Sequence, residues 1–222
     1  MDLKGRHFIT TQEWSVQEID YLLEFAAALK ARMKKGVPHR YLDGKTLFMI
    51  FFEQSTRTRN AFETGMTQLG GHANDLLASN IQIAHGENAY DTAKVLSRYG
   101  HGIAIRNCEW KTGNRFIREV AKNATIPVIN LQCDLYHPTQ IVADLMTIRE
   151  RFGKDLSGLK FVCSWVYGPK YARPISVPQS LILLMTRFGM RVTLAHPPEF
   201  KLMPDIVEQA KQNARASGGS FE

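Results

Sequence analysis

The chain has 222 residues, of which 44% are hydrophobic and 22% are charged, as expected for a globular protein of one large or two small domains. No apolar run reaches 18 residues, so the sequence predicts no membrane span. The first residues, MDLKGRHFITTQEW, lack the apolar stretch of a secretory signal. Cys108, Cys133 and Cys163 form no CxxC pair, which argues against a zinc site or a disulfide framework. We therefore expect a cytoplasmic protein.

Lysine and arginine exceed aspartate and glutamate by a net charge of +7. This excess has three explanations: attraction of nucleic acid, attraction of small anions, or an ordinary charged surface. The densest run, KARMKKG at residues 30–36, lies at a predicted helix C-terminus, where cations complement the helix dipole. Nucleic-acid binders usually concentrate their charge in runs or tails. We therefore favour a field that attracts a small anionic substrate.

Predicted strands and helices alternate along the chain, which is typical of an α/β fold with a parallel sheet. Ser15 and Glu18 form a capping box for the first helix, which ends near Lys35, before Gly36. A polar loop, ASNIQIAHGENAY, precedes the third helix. The other elements predicted in the first part of the chain are strand 46–52, a helix from Ser55 to Gly70, strand 74–77, helix 91–98, strand 102–106, helix 113–122, strand 127–131 and helix 139–152 after Pro138.

A second unit follows, with a strand at 160–166, a proline-rich loop, a helix at 179–188, a strand at 191–195 and a helix at 205–216. Two strands and two helices are too few for a doubly wound sheet. The predicted fold is thus an open parallel sheet flanked by helices in residues 1–152, followed by the start of a second, similar α/β domain in residues 153–222.

The stretch FMIFFEQSTRTRNAFETGMTQLGG predicts a buried strand, a turn and a helix that opens on Ser55, Thr56, Arg57, Thr58 and Arg59. Free backbone N–H groups and the helix dipole favour an anion at such a helix start. Arginine binds phosphate in a bidentate manner, so this segment predicts a phosphate site. The alternative is a capped helix with solvated arginines.

Further polar side chains follow other strands of the predicted sheet. Arg106 ends the strand GIAIR, and His137 and Gln140 follow the strand VINL. Because ligands of open parallel sheets bind beyond the carboxyl ends of the strands, these segments point to one crevice. A structural salt bridge for Arg106, a plain loop position for His137 and a surface position for Gln140 are the alternatives. Near a helix N-terminus a neutral imidazole is favoured and could donate to a carbonyl oxygen.

The segments STRTR and HPTQ, with Arg106 between them at a strand end, resemble the aspartate and ornithine carbamoyltransferases. The resemblance extends from about residue 19 to the end of the chain. Gln82, nine residues before Asp91, is similar to the glutamine of the ornithine-type enzymes. The second unit resembles the knotted carbamoyltransferases, typified by the N-acetylornithine and N-succinylornithine enzymes, in four residues: Trp165, Gly168, Pro169 and Lys170. Gly168 stands where a histidine is more usual.

This resemblance implies transfer of a carbamoyl group from carbamoyl phosphate to the amine of an amino-acid-like acceptor, with release of phosphate. It implies that this transfer needs no metal and no cofactor. It implies that Ser55, Thr56, Arg57 and Thr58 hold the phosphate. Arg106, Thr58 and His137 would polarise the carbonyl oxygen, and Gln140 would hold the carbamoyl NH₂ group. It also implies a homotrimer in which Gln82 reaches the site of the neighbouring subunit. Trp110, Lys111 and Lys170 are candidate acceptor contacts, with plain packing as the alternative for Trp110.

In the family, most acceptor contacts lie beyond the point that corresponds to residue 222. We therefore expect this chain to be a C-terminally truncated part of a longer enzyme. The alternative is a non-catalytic phosphate-binding or oligomerisation module, and nucleic-acid binding is a third hypothesis. The residues do not identify the acceptor. They also leave the direction of the reaction open, and the reverse direction would be the phosphorolysis of a ureido compound.

Overall fold

The computed structural model describes residues 1–166 and 175–222. Its first part contains α1 (Val16–Lys34), β1 (Thr46–Phe51), α2 (Arg57–Gln68), β2 (His72–Leu77), α3 (Ala89–Tyr99), β3 (Gly102–Asn107), α4 (Gly113–Asn123), β4 (Val128–Cys133) and α5 (Pro138–Phe152). Its second part contains β5 (Lys160–Ser164), α6 (Ser176–Met185), β6 (Arg191–Ala195), α7 (Pro204–Ser217) and β7 (Ser220–Phe221). The α/β fold predicted from the sequence is confirmed.

The first sheet has the order β2-β1-β3-β4, and all three strand pairs are parallel. The chain passes from β1 to β2 on one side and then returns to β3 on the other side of β1. The topology therefore reverses between β1 and β3, and the crevice beyond their carboxyl ends is the place where such sheets bind ligands. Arg106 pairs with Phe51 at this end of the sheet.

Local sequence signals explain how the helices begin. The side chains of Ser15 and Glu18 form both hydrogen bonds of the predicted capping box of α1. Asn88 caps α3 through the backbone N–H of Asp91. Pro138 occupies the first turn of α5. Backbone N–H groups in a first turn have no partner within the helix, so the lack of an N–H group in proline costs no hydrogen bond there. Because these signals are local, most of the observed element boundaries lie within two residues of the boundaries predicted from the sequence.

Two parts of the prediction need correction. The second sheet has three strands in the order β5-β6-β7, because Ser220 and Phe221 pair with β6, whereas the sequence analysis counted two. The polar loop between β2 and α3 also contains two short 3-10 helices, Ala78–Asn80 and Gln82–His85. A two-residue strand after two glycines and single turns in a polar segment carry too little periodicity to be recognised.

The apolar core lies on both faces of the first sheet and continues into the second part of the chain. One cluster packs α3 and α4 against the sheet, and another packs α2 against the opposite face. The largest cluster joins α1 and α5 to α6 and α7, through residues such as Ile19, Leu145, Ile182 and Ile206. This shared packing fixes α6 against the connection between β4 and α5, which carries His137.

Candidate active site

Arg106 links the carboxyl end of β3 to the segment that follows β1. Its Nη1 atom donates a hydrogen bond to Oγ of Ser55 at 3.3 Å, and its Nε atom lies 3.9 Å from Oε2 of Glu53. Because the guanidinium group is largely withdrawn from solvent, its charge is less screened than that of a surface arginine. The structure thus brings together two segments that the sequence analysis assigned to one crevice.

Glu53 is a site residue that the sequence analysis did not identify. Its Oε1 atom accepts a hydrogen bond from the backbone N–H of Cys108 at 2.9 Å, while Oε2 approaches Arg106. Glu53 therefore connects the segments after β1 and β3 and helps to orient the guanidinium group. A carboxylate directly after a buried strand is the sequence signal that could have revealed it, because a buried charge needs a partner.

His137 is buried at the start of α5, with 7% of its surface exposed. Burial and, to a smaller extent, the positive charge of Arg106 lower the pKa of His137 to about 4. The imidazole is consequently neutral at physiological pH, and one of its ring nitrogens carries a proton that it can donate.

The helix that carries the STRTR segment begins without a side-chain cap, and so does the helix that follows His137. By contrast, side chains cap α1 and α3. The first N–H groups of α2 are therefore available to an anion in the crevice. Arg57 is the first residue of α2, is exposed, and has no hydrogen bond or ion pair with any residue in 1–166 or 175–222.

The amide of Gln140 is oriented by Asp144, which lies one turn further along α5. Nε2 of Gln140 donates a hydrogen bond to Oδ1 of Asp144 at 2.9 Å. Burial raises the pKa of Asp144, while the hydrogen bond from Gln140 acts in the opposite direction. Because a carboxylate accepts hydrogen bonds, the amide oxygen of Gln140 is left to accept from a ligand N–H group.

The other predicted site residues have different surroundings. Gln82 is exposed at the start of a 3-10 helix. Trp110 lines a cavity of about 530 Å³ together with Leu135 and Met203. Lys170, like Gly168 and Pro169, lies outside the described residues.

Arg59 does not share the environment that its position in the STRTR segment suggested. Its Nε atom lies 3.3 Å from Oδ2 of Asp75, and its guanidinium group packs 5.1 Å from the ring centre of Phe51. The pairing of β1 with β2 brings Asp75 within reach. Arg59 therefore has a structural ion pair, and Arg57 is the cation of this helix that remains available to a ligand.

These features define the class of the protein: a parallel α/β protein with a candidate anion site at its topological switch point. A match to a known protein family narrows this class. The model of the carbamoyl-phosphate-binding domain of aspartate/ornithine carbamoyltransferases matches residues 6–150. The chain therefore belongs to the aspartate/ornithine carbamoyltransferase family.

Individual relatives agree with this assignment. The Escherichia coli (strain K12) protein named "Putative carbamoyltransferase YgeW" is 42% identical over 233 residues, which cover 99% of this chain and 59% of that protein. The structure of ornithine carbamoyltransferase from Pyrococcus furiosus is 41% identical, with a TM-score of 0.91 over 100% of this chain and 67% of that one. N-acetyl-L-ornithine transcarbamylase is 35% identical, with a TM-score of 0.85 over 97% and 69% of the two chains. The chain thus spans about three fifths to two thirds of the length of these relatives.

No helix in the part of the chain that the structure describes is both long enough and apolar enough to cross a membrane.

The depressed pKa of His137 makes stability depend on pH. In the folded chain the imidazole takes up a proton only near pH 4, whereas an unfolded histidine does so near pH 6.5. The unfolded state therefore binds more protons between these values, and stability falls as the pH falls through this window. The loss approaches about 3 kcal/mol at the lower end.

The measurement is NMR of the ring carbons and nitrogens of His137 from pH 7.5 to pH 4.5, with the exposed His85 as an internal reference. We expect the His137 signals to remain those of a neutral ring above pH 5. Urea unfolding of the parent and of His137→Gln over the same range should show the extra pH dependence in the parent alone. A His137 ring that titrates near pH 6.5 would contradict the proposed environment.

Proposed function

We propose that this protein binds carbamoyl phosphate and transfers its carbamoyl group to the amine of an amino-acid-like acceptor, with release of phosphate. The observation that supports this most directly is the hydrogen bond between Arg106 and Ser55 beside the buried, neutral His137. A cation, a helix start without a side-chain cap and a neutral hydrogen-bond donor suit a substrate that joins a phosphate dianion to a carbonyl group.

The phosphate of the donor would lie at the start of α2. The hydroxyl groups of Ser55, Thr56 and Thr58 and the backbone N–H groups of the first turn would donate hydrogen bonds to its oxygens. Arg57 would add a bidentate contact, because its guanidinium group is exposed and has no hydrogen bond or ion pair with the part of the chain that the structure describes. The same groups would stabilise the negative charge on the phosphate as it leaves.

The carbonyl oxygen would face Arg106, Thr58 and His137. As the acceptor nitrogen attacks the carbonyl carbon, the C–N bond forms and negative charge develops on this oxygen. The bond from the carbonyl carbon to the phosphate oxygen then breaks, the phosphate takes the bonding electrons, and the amine loses a proton, for which the phosphate is a suitable base. Each donor to the oxygen could contribute about 3–4 kcal/mol, and alignment of the two substrates about 7–11 kcal/mol.

Gln140 would accept a hydrogen bond from the carbamoyl NH₂ group through the oxygen that Asp144 leaves unengaged. This contact would set the rotation of the carbamoyl group, so that its carbonyl oxygen points to Arg106 and its open face points to the acceptor. The residues assigned to the donor therefore belong to the first unit, which we propose is the carbamoyl-phosphate-binding domain, residues 1–152.

The acceptor would be bound mainly by the second unit, proposed as residues 153–222 of an incomplete acceptor-binding domain, with Trp110 contributing from the first unit. Trp110 borders a cavity whose wall also includes Lys111 and Arg115. These cations favour an acceptor that carries a carboxylate. Among the structural relatives, one N-acetyl-L-ornithine transcarbamylase variant was crystallised with carbamyl phosphate and N-succinyl-L-norvaline, at a TM-score of 0.86 and 36% identity.

Substitution of Arg57 tests the donor site. Arg57→Ala should weaken carbamoyl phosphate binding at least about thirtyfold, because a charge-assisted bidentate contact is lost. Isothermal titration calorimetry measures this affinity. Arg59→Ala is the matched control, since it removes an equal charge from the same helix but one that faces Asp75. Equal affinities for the parent and Arg57→Ala would refute the phosphate contact.

A panel of amines tests the transfer reaction. Phosphate release from carbamoyl phosphate should increase with one member of a set that includes ornithine, N-acetylornithine, N-succinylornithine and aspartate. His137→Gln should abolish this increase while changing donor binding less than Arg57→Ala, because His137 would act on the developing oxyanion. Donor binding without acceptor-dependent release would favour the alternative of a non-catalytic phosphate-binding module.

We also propose that the protein is a homotrimer in which Gln82 completes the site of the neighbouring subunit. The exposure of Gln82 and of three apolar residues on α3, namely Tyr90, Val95 and Tyr99, supports an interface on this side of the molecule. Light scattering after gel filtration should give three times the 25.2 kDa mass of one chain. A monomer would remove this proposal.

Mixing variants tests whether the sites are shared. Gln82→Ala and Arg57→Ala should each bind the donor weakly. After unfolding and refolding together, about a quarter of the sites should combine an intact Arg57 with an intact Gln82 from another subunit and recover tight binding. No recovery from a mixture that forms trimers would show that each site belongs to one subunit.

A further inference from the structure

Helix α6 carries three polar side chains that are almost completely buried. Ser176, Gln179 and Ser180 are 1%, 0% and 3% exposed. Their spacing of three and four residues places them on one face of the helix. Most other residues of α6 are buried and apolar. A polar stripe inside such a helix is stable only where each group finds a partner.

All three side chains find partners at the end of β4 and on the segment that leads from β4 into α5. Oγ of Ser176 accepts from Nε2 of Gln132 at 3.0 Å. Nε2 of Gln179 donates to the carbonyl oxygen of Leu135 at 2.9 Å. Oγ of Ser180 accepts from the backbone N–H of His137 at 2.9 Å.

These hydrogen bonds fix the position of α6 against residues 132–137. A shift of the helix along its axis or around it would leave several buried polar groups without partners, at a cost of about 1–3 kcal/mol for each. Apolar contacts alone do not impose this precision, because they tolerate small rotations. The second unit therefore sets the backbone that leads into His137.

Gln179 extends the connection to a third element. Its Oε1 atom accepts a hydrogen bond from the backbone N–H of Met203, the residue before α7, at 3.3 Å. One buried amide thus ties the connection between β4 and α5 to the start of α7. A movement of α7 relative to the first unit would strain the hydrogen bond between Gln179 and Met203, and through Gln179 it would also displace the connection between β4 and α5.

We propose that Ser176, Gln179 and Ser180 form a positioning stripe on α6 that holds His137 in place at the start of α5, so that the second unit controls the geometry of the first unit's site. The stripe itself touches none of the reacting atoms. Its effect on catalysis rests on the proposed function, whereas its effect on the backbone and ring of His137 does not.

The decisive variant is Ser180→Ala, which removes the acceptor of the His137 N–H group. We expect hydrogen exchange at this amide to become about tenfold faster or more, because a buried hydrogen bond is lost. The ring resonances of His137 should shift, and the Kd for carbamoyl phosphate should rise about three- to tenfold. Ser180→Cys, similar in volume but a weaker acceptor, should give intermediate values.

Ser217→Ala is the matched control. Oγ of Ser217 donates to the carbonyl oxygen of Thr186 at 2.6 Å, a hydrogen bond within the second unit that does not reach residues 132–137. This variant should leave the exchange and the ring resonances of His137 unchanged, even if it lowers the melting temperature.

The outcomes separate the two proposals. If the parent chain binds no carbamoyl phosphate, the proposed function fails, and the NMR and exchange data still decide whether Ser180 positions His137. Unchanged exchange and unchanged ring resonances in Ser180→Ala would overturn the positioning stripe. Equal effects in Ser217→Ala would also overturn it, because they would show general loosening of the second unit. If Ser180→Ala does not fold, Ser180→Cys provides the same comparison.

Discussion

The guanidinium group of Arg106 is the feature on which the candidate site depends. Its contacts with Ser55 and Glu53 join the segments after β1 and β3 at the point where the sheet topology reverses. A partly buried arginine retains its charge under all physiological conditions, so the crevice keeps a fixed positive centre. The nearby start of α2, without a side-chain cap, adds partial positive charge from the same direction. Together they select for an anion before any group makes a specific contact.

The same cation contributes, after burial, to keeping His137 neutral. Burial alone would already favour the neutral imidazole, and the charge of Arg106 favours it further. A neutral ring is a poor proton donor in the sense of full transfer, but it is a good hydrogen-bond donor to an oxygen that becomes negative. The site is therefore suited to stabilising charge on a carbonyl oxygen. His137 can do this without changing its protonation state during a reaction.

Sequence reasoning succeeded where the signals are local. The capping box at Ser15, the proline at the first turn of α5 and the apolar strands were all recognisable within a few residues of chain. Glu53, Asp144 and the true environment of Arg59 depended on partners brought close by tertiary structure. Asp144 is one helical turn from Gln140, yet many such pairs are only surface contacts, so spacing did not identify it. Arg59 was included in the helix start that predicts a phosphate site, because the register of β1 against β2 was unknown.

The polar stripe of α6 shows most clearly why sequence patterns were insufficient. Serine and glutamine at such spacing are typical of the solvent-facing side of a helix, and Ser176, Gln179 and Ser180 gave no reason to expect otherwise. They are buried because the first unit offers a side-chain amide, a carbonyl and an N–H group in matching positions. Without residues 132–137, the same stripe would need water. The apolar cluster packs the second unit against the first, and this one set of hydrogen bonds fixes the position of α6 within that packing and places the backbone of His137.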